Sequence, residues 1–557
     1  MITLRLRLAI STQFLSRQQR RLIKVVGTLP TMDEPIVTVK QGKLRGCTVQ
    51  GVLGSSYIAF HEIPFAAPPV GKLRFQDPKP PAPWTGIRDA SKYVGKACTQ
   101  VREVAPFDVF GDEDCLYLNV FTNSISDCAR KPVMFWIHGG SFIVGSASYN
   151  VKRPDYLIKQ DVVIVMTNYR LGAFGFLNLG HRAAPGNQGL KDVIAALQWV
   201  KDNIANFGGD PDNVTIFGAS AGGILVHALT VSPCAQGLFH KAIIQSGVLQ
   251  SPVAMNQSVP ARSFKLAAHL GSNSTDPVQV VEFLRTIDAK DIVKGYSAML
   301  TKEEEHSLCL QFGLNTDNIA EYSVLPQPYD EILSTVTDIP VMVGYTSHEF
   351  MMFVADKSEK MMKMYDMALP IFVKRLADTK NLSDADTDEL LRVVRNRYFG
   401  GQPLSPDKIN EFIVLMSDIA FGVGTCIYVE GRVKMTRAPT YFYVYTYVGN
   451  EETHTDLLVK RVATGASHVD ELSYLFYSPY VKIKNTKPPA EGTKDRIVIE
   501  RLTRMWTNFA KTGNPTPCHD EFIATTWEPV TQNELKYLNI GDESKLLIME
   551  PHVLSSK

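Results

Sequence analysis

Cysteine is scarce in this chain, with eight residues in 557. Bridges spread that thinly do not carry a fold. No CxxC pair and no clustered Cys/His array occurs, which excludes a structural zinc site of the usual spacing. Charge of one sign is also lacking: 58 Lys and Arg stand against 57 Asp and Glu, for a net charge of +1. A nucleic-acid partner or a polybasic membrane face is therefore not expected. No uninterrupted apolar run reaches the length of a membrane span, so no transmembrane segment is expected. Internal repeats and low-complexity linkers are missing, which argues against a solenoid. What is present is ordinary for a globular protein, 45% hydrophobic and 21% charged residues, in a chain long enough to bury a large core.

The first 31 residues stand apart, with six Lys/Arg and no acid. Arg5 and Arg7 interrupt their only apolar stretch, which makes a poor secretory signal. The basic, Ser/Thr-containing composition is similar to a transit peptide, and a disordered extension is the plainer reading. The C-terminal "PHVLSSK" carries no retention or lipidation signal. The expected compartment is the cytoplasm, with the mitochondrion and secretion as alternatives.

Short, continuously apolar segments alternate with helix-patterned ones. "RKPVMFWIHGG", "DVVIVMTNYR", "NVTIFG" and "YFYVYTY" read as strands. "DVIAALQWVKDNIANF" (192–207) reads as a helix. Strands without polar alternation belong to a sheet covered on both faces, the α/β class. Residues 255–330 and 351–440 read as mostly helical insertions, a lid or side layer. "KEEEH" (Lys302–His306) reads as a solvated helix face.

"NVTIFGASAGGILVHAL" places Ser220 between a strand-like run and an apolar helix. Gly-x-Ser-x-Gly alone is a weak pattern, but strand, sharp turn and helix together lift a serine oxygen above a sheet edge. The flanking glycines permit that turn, and the helix N-terminus supplies a positive field where an oxyanion would form. A structural turn serine is the alternative. A nucleophilic serine needs a base, and the base an orienting acid. The sequence holds twelve histidines, and composition does not choose among them. "WIHGGSF" (Trp136–Phe142) follows a strand and offers unobstructed backbone N–H groups, as a plain loop also would. Cys98 and Cys115 would close a short loop if oxidised; reduced thiols are the alternative.

Several strings together resemble the type B carboxylesterase/cholinesterase family of α/β-hydrolases. They are "FGASAGG", "EDCLYLNV" (Glu113–Val120), "IPFAAPPVGKLRF" (Ile63–Phe75), "NYRLGAFGFL" (Asn168–Leu177) and "GNQGLKD" (Gly186–Asp192). The resemblance runs from about Pro35 to Trp527. It implies a large, mostly parallel sheet flanked by helices, with helical insertions forming a gorge or lid. Residues 35–557 then form one catalytic domain behind an extension of residues 1–34.

By the same resemblance, "VMVGYTSHEF" places the acid on Glu349, and "GASHVDELSYLF" places the histidine on His468. The oxyanion donors become the N–H groups of Gly140, Ser141 and Ala221, with Gly139 in the same loop. Relatives often carry Gly or Ala at the Ser141 position, so its hydroxyl is expected to crowd the hole. Ser246, in "IIQSGV", matches a serine that supports the acid; a strand-end turn residue is the alternative. His348 reads as a neighbour without a catalytic role, and Asp470 and Glu471 as caps or structural partners. Cys98 and Cys115 match the family's first disulfide. No metal and no cofactor are implied.

The substrate reading follows from departures. No Trp lies between Cys98 and Cys115 to hold a quaternary ammonium, so a choline ester is not expected. Ala219 stands where many relatives have Glu and juvenile-hormone esterases have Gln. Without a carboxylate there, a lower histidine pKa is expected. Val253 replaces a common Trp and implies a larger acyl pocket. The Met-rich stretch Met351–Met367 reads as helix core, or as the lining of an adaptable pocket. The best fit is a broad-specificity, detoxification-type carboxylesterase acting on small-molecule esters and open to organophosphates or carbamates. A scavenger with slow turnover, a dedicated lipid or pheromone esterase and a non-catalytic adhesion member are the alternatives.

Overall fold

The computed structural model describes residues 34–549 apart from 105, 253, 255–258, 300–309, 355, 380–381 and 483–485. Residues 1–33 of the expected extension 1–34, the Lys302–His306 stretch and Val253 lie outside the described residues.

Eleven strands form the central sheet. In chain order they are β1 (Cys47–Gln50), β2 (Ser56–Pro64), β3 (Tyr117–Thr122), β4 (Lys131–Ile137), β5 (Val163–Thr167), β6 (Gly209–Ala219), β7 (Lys241–Gln245), β8 (Val341–Thr346), β9 (Thr440–Tyr445), β10 (Lys536–Ile540) and β11 (Ser544–Ile548). Their spatial order is β1-β2-β3-β5-β4-β6-β7-β8-β9-β10-β11. From β5 to β10 every pairing is parallel, and the pairings at both margins are antiparallel. This is the large, mostly parallel sheet that the family resemblance implies. The four segments that read as strands are β4, β5, β6 and β9.

Both faces are buried because successive side chains alternate across the pleat. Val163 and Val165 of β5 enter one core, while Ile164 and Met166 enter the other. The first core is covered by α1 (Gln188–Asn203) and α2 (Ala221–Val231), and the second by α3 (Lys494–Thr512). Trp506 of α3 and Trp136 of β4 are both fully buried in the second core. Burying such side chains stabilises by roughly 1.5–3 kcal/mol each.

Residues 359–435 add a helical layer with a third core of its own. Met351, Met361 and Met362 are buried in it, as the helix-core reading requires, whereas Met367 is 80% exposed. The stretch Pro406–Met435 is long and apolar enough to cross a membrane by length and composition, but 83% of its apolar window is buried in the protein. Glu411 and Asp418 interrupt it, so it is not an unbroken apolar run, and it packs as a core element. Its π-helical turn, Asp418–Gly422, sits between two α-helices. Among the described residues, the expected helical insertion 255–330 is helical at Val259–His269, Pro277–Thr286 and Ala289–Ala298 and at the start of Tyr329–Ser334. From residue 310 the chain is irregular up to Tyr329. There the Asp317 carboxylate accepts the N–H groups of Val324 and Leu325 in place of a helical ladder.

The family motifs meet as buried ion pairs. Arg170 of "NYRLG" grips Asp192 of "GNQGLKD" through Nε (2.8 Å) and Nη2 (2.7 Å). Arg74 of "GKLRF" grips Glu113 of "EDCLYLNV" at 2.7 and 2.5 Å. Breaking such a pair from one side strands a buried charge, at a cost of about 3–5 kcal/mol. Asp192→Ala is therefore expected to lower the unfolding free energy, measured by chemical denaturation, by that amount. A change below about 1 kcal/mol would mean that Arg170 finds another partner or water.

Candidate active site

Ser220 follows β6 directly and precedes α2, with φ 60° and ψ −128°. That backbone is strained for a non-glycine residue, at roughly 1–3 kcal/mol. It persists because the surroundings leave no alternative. The Ser220 N–H donates to the Gln245 carbonyl of β7 at 2.9 Å, and its carbonyl accepts from Ile224 in α2 at 3.0 Å. At Gly222 a Cβ would fall 2.2 Å from the Ile137 carbonyl, so only glycine lets α2 start this close to β4.

The glycine loop after β4 lies against this elbow. A Cβ on Gly139 would sit 2.5 Å from the Ala219 carbonyl and 3.1 Å from Ser220 Cβ. Gly140, Ser141 and Phe142 follow with φ of 116°, 54° and 61°. Among the described residues nothing accepts the N–H of Gly140 or Ser141. The Ala221 N–H, first in α2, has no acceptor within its own helix. Ser141 occupies a glycine-like conformation, so its cost is backbone strain as well as an added hydroxyl.

The loop is clamped from behind. Gln100 accepts the Gly145 N–H at 2.7 Å and donates to the Gly145 carbonyl at 2.8 Å. Gln100 is itself held two residues past Cys98, which is disulfide-bonded to Cys115. Asn168 accepts the Ala147 N–H at 2.7 Å and donates to the Cys115 carbonyl at 3.0 Å. His138 stacks on Tyr169 with ring centroids 4.3 Å apart. Burial brings the His138 pKa down to about 4, so this ring is neutral at physiological pH.

Glu349 begins the turn after β8 and is fully buried. One carboxylate oxygen accepts the Thr346 N–H at 2.7 Å. The other meets Nδ1 of His468. The His468 loop, beyond β9, is stitched to the Glu349 loop by the His348 N–H donating to the Ala466 carbonyl at 2.8 Å. Phe421, on the π-helical turn, packs 4.9 Å from the His468 ring. Since β6 and β8 flank β7, Ser220 and Glu349 leave the same sheet edge two strand spacings apart, about 10 Å. No hydrogen bond joins Ser220 to His468 in this structure.

Other expectations have mixed outcomes. His348 bonds Ser347 and Asn410 rather than the Glu349–His468 pair. Asp470 accepts the Ser467 N–H at 2.8 Å and pairs with Arg461 at 2.8 Å. Ser246 is buried, but its hydroxyl has no hydrogen-bond partner, so Thr346 supports the Glu349 carboxylate in its place. Ala219 is buried in the second core among Phe217, Trp136 and Phe476, and its methyl group occupies space that a longer side chain would have to displace.

Comparison with known proteins places this architecture. The Carboxylesterase family profile matches residues 33–553. The chain belongs to the carboxylesterase family. Carboxylesterase 3 of Homo sapiens is 32% identical over 92% of this chain and 88% of its own length. The juvenile hormone esterase of Tribolium castaneum is 32% identical over 87% of this chain and 85% of its own length. The crystal structure of juvenile hormone esterase from Manduca sexta, with OTFP covalently attached, superposes with a TM-score of 0.79 at 26% identity, over 94% of this chain and 98% of that one. The carboxylesterase therefore has the α/β-hydrolase fold and hydrolyses carboxylic esters.

Sequence reasoning missed the support around the site. Gln245 donates to Glu471 Oε1 at 2.8 Å, and Trp506 donates to Gln245 at 3.4 Å. Burial, reinforced by the charge of Glu349, pushes the Glu471 carboxyl up to about 8. No spacing rule connects residues so distant in the chain. A carboxyl with a raised folded-state pKa binds its proton more tightly in the folded than in the unfolded chain. Its contribution to stability is present below the ordinary glutamate range and is lost as pH rises towards about 8. Glu471→Gln keeps an acceptor for Gln245 and removes the titration. The decline in unfolding free energy between about pH 5 and 8 should become shallower by roughly 2–4 kcal/mol; an unchanged pH profile would show that Glu471 is ionised throughout.

Proposed function

We propose that Ser220 is the nucleophile, His468 the general base and acid, and Glu349 the acid that orients it. The observation that carries this reading is the buried contact between Glu349 and His468 Nδ1. A carboxylate on Nδ1 holds the proton there and leaves Nε2 with a free lone pair. Nε2 takes the Ser220 hydroxyl proton as Oγ adds to the ester carbonyl carbon. Negative charge moves to the carbonyl oxygen and is met by the N–H groups of Gly140, Ser141 and Ala221, each worth roughly 100- to 1000-fold in rate. Glu349 stabilises the imidazolium. His468 then gives its proton to the leaving oxygen, the alcohol departs, and an acyl group remains on Ser220. Water, deprotonated by His468, repeats the sequence and releases the acid.

The substrate reading is a broad-specificity esterase of small-molecule esters, inactivated by organophosphates or carbamates at the same oxygen. The covalent ligand in the Manduca sexta relative supports a reactive centre of this type. The Cys98–Cys115 bond favours an oxidising compartment over the cytoplasm, where thiols are held reduced.

Ser220→Ala should lower p-nitrophenyl butyrate hydrolysis by at least about 1000-fold with the fold intact. Mass spectrometry after organophosphate treatment should place one adduct on the peptide containing Ser220; an adduct elsewhere would overturn the assignment. Across p-nitrophenyl esters from acetate to octanoate, kcat/KM should vary by less than about tenfold. A sharp optimum would point to a dedicated esterase.

A further inference from the structure

A cluster of charges beside the glycine loop has no part in the ester chemistry. Glu103 lies on the loop closed by Cys98 and Cys115. Lys152 lies on the segment that leaves the glycine loop, and His454 opens the short helix His454–Leu458. His454 Nε2 comes to 3.9 Å from Glu103 Oε1. The charges of Lys152 and Glu103 both act on the His138 ring, whose Nδ1 donates to the Gly139 carbonyl at 2.8 Å. Gly139 is the residue whose Cβ would fall 3.1 Å from Ser220 Cβ, so the cluster borders the ester site.

The segment that carries Lys152 is held in place. The Lys152 N–H donates to the Ser148 carbonyl at 2.9 Å, and Arg153 exchanges backbone hydrogen bonds with Tyr477 at 2.8 and 3.0 Å. The Arg153 guanidinium is committed to Asp155, with two contacts of 3.0 Å. Lys152 is half-buried, yet its ammonium has no hydrogen bond or ion pair among the described residues. Other lysines screened from water are matched: Lys191 meets Asp77 at 2.7 Å, and Lys482 meets Glu451.

Burial pulls the Lys152 ammonium below its ordinary value, against the charge of Glu103, as expected of a cation whose compensation is incomplete. Burial would raise the Glu103 carboxyl, but His454 and Lys152 hold it below its ordinary range. Glu103 thus has compensation from two neighbours, while Lys152 keeps donors without an acceptor. An ammonium that has lost water and gained no acceptor is the group that an incoming anion would satisfy.

We propose that Lys152 is a specificity-determining residue that binds a carboxylate borne by the ester, so that esters with an anionic arm are favoured substrates. This rests on Ser220 as the nucleophile. The carboxylate accepts from the ammonium in a charge-assisted hydrogen bond, roughly twice as strong as a neutral one. Glu103 opposes the anion and limits the preference. The carboxylate is carried on the acyl arm or on the alcohol arm, and matched substrates separate the two.

In the first pair the acyl arm is charged: mono-4-nitrophenyl adipate against its neutral amide, 4-nitrophenyl adipamate. In the second the leaving group is charged: 4-butyryloxybenzoate against 4-butyryloxybenzamide. With spontaneous hydrolysis subtracted, kcat/KM for the anion should exceed that of its neutral partner about tenfold or more in at least one pair. Lys152→Met keeps the stem and removes the charge; it should lower that ratio at least about tenfold, mainly through KM. Glu103→Gln removes the opposing charge and should raise the ratio roughly two- to fivefold. A ratio near or below one in both pairs, a ratio unmoved in folded Lys152→Met, or a ratio lowered by Glu103→Gln would overturn the proposal. Neutral-ester hydrolysis that still depends on Ser220 would then keep the nucleophile assignment, whereas full turnover by Ser220→Ala would overturn both.

Discussion

The left-handed backbone at Ser220 is the constraint on which the rest of this molecule depends. A strand buried on both faces must stop, turn once and become a helix within a single residue. That is possible only where neighbouring backbone comes close enough to hold the turn. The Gln245 carbonyl takes the Ser220 N–H, and the Ile137 carbonyl lies where a side chain on Gly222 would be. The same proximity brings the glycine loop after β4 beside the serine. One tight turn thus sets both the placement of Ser220 and the position of the glycine loop beside it. Its strain, of order 1–3 kcal/mol, is small against the burial energy of the two cores that surround it.

Around that turn the buried charges occur in pairs. Arg170–Asp192 fixes the segment after β5, whose neighbour Asn168 ties the disulfide loop to the exit of the glycine loop. Arg74–Glu113 holds the approach to Cys115. Glu349–His468 follows the same rule, with the difference that one partner can exchange its proton. Glu471, beside Glu349, is the exception. Two adjacent buried carboxylates do not both ionise without cost, and burial with the charge of Glu349 beside it raises the Glu471 carboxyl. The resemblance motifs are thus largely the places where a charge had to be buried and matched.

Local strings carry information wherever the constraint is local. Ser220 was legible because strand, glycines and helix are contiguous. The parallel strands were legible because both faces of each are buried, which removes polar alternation. Glu349 and His468 were reached only by resemblance, since their partner atoms meet through the stitching of two loops. The region after residue 310 was misread as helix because the competing interaction, the Asp317 carboxylate on Val324 and Leu325, spans a turn that no helical period describes. Ser246 shows the converse: a matching motif residue whose hydroxyl finds no partner.

The sequence by itself determined the α/β class, the elbow at Ser220, the covered sheet and the absence of a charge bias that would direct the chain to nucleic acid. These depend on residue type and short-range order, which are written directly in the chain. The tertiary structure alone decided that the Thr346 N–H supports Glu349, that Gln245 and Trp506 reach Glu471, and that Ala219 is packed rather than open. Most of these rest on distances between residues far apart in sequence. Such distances are fixed only when strand order and loop stitching have closed the fold.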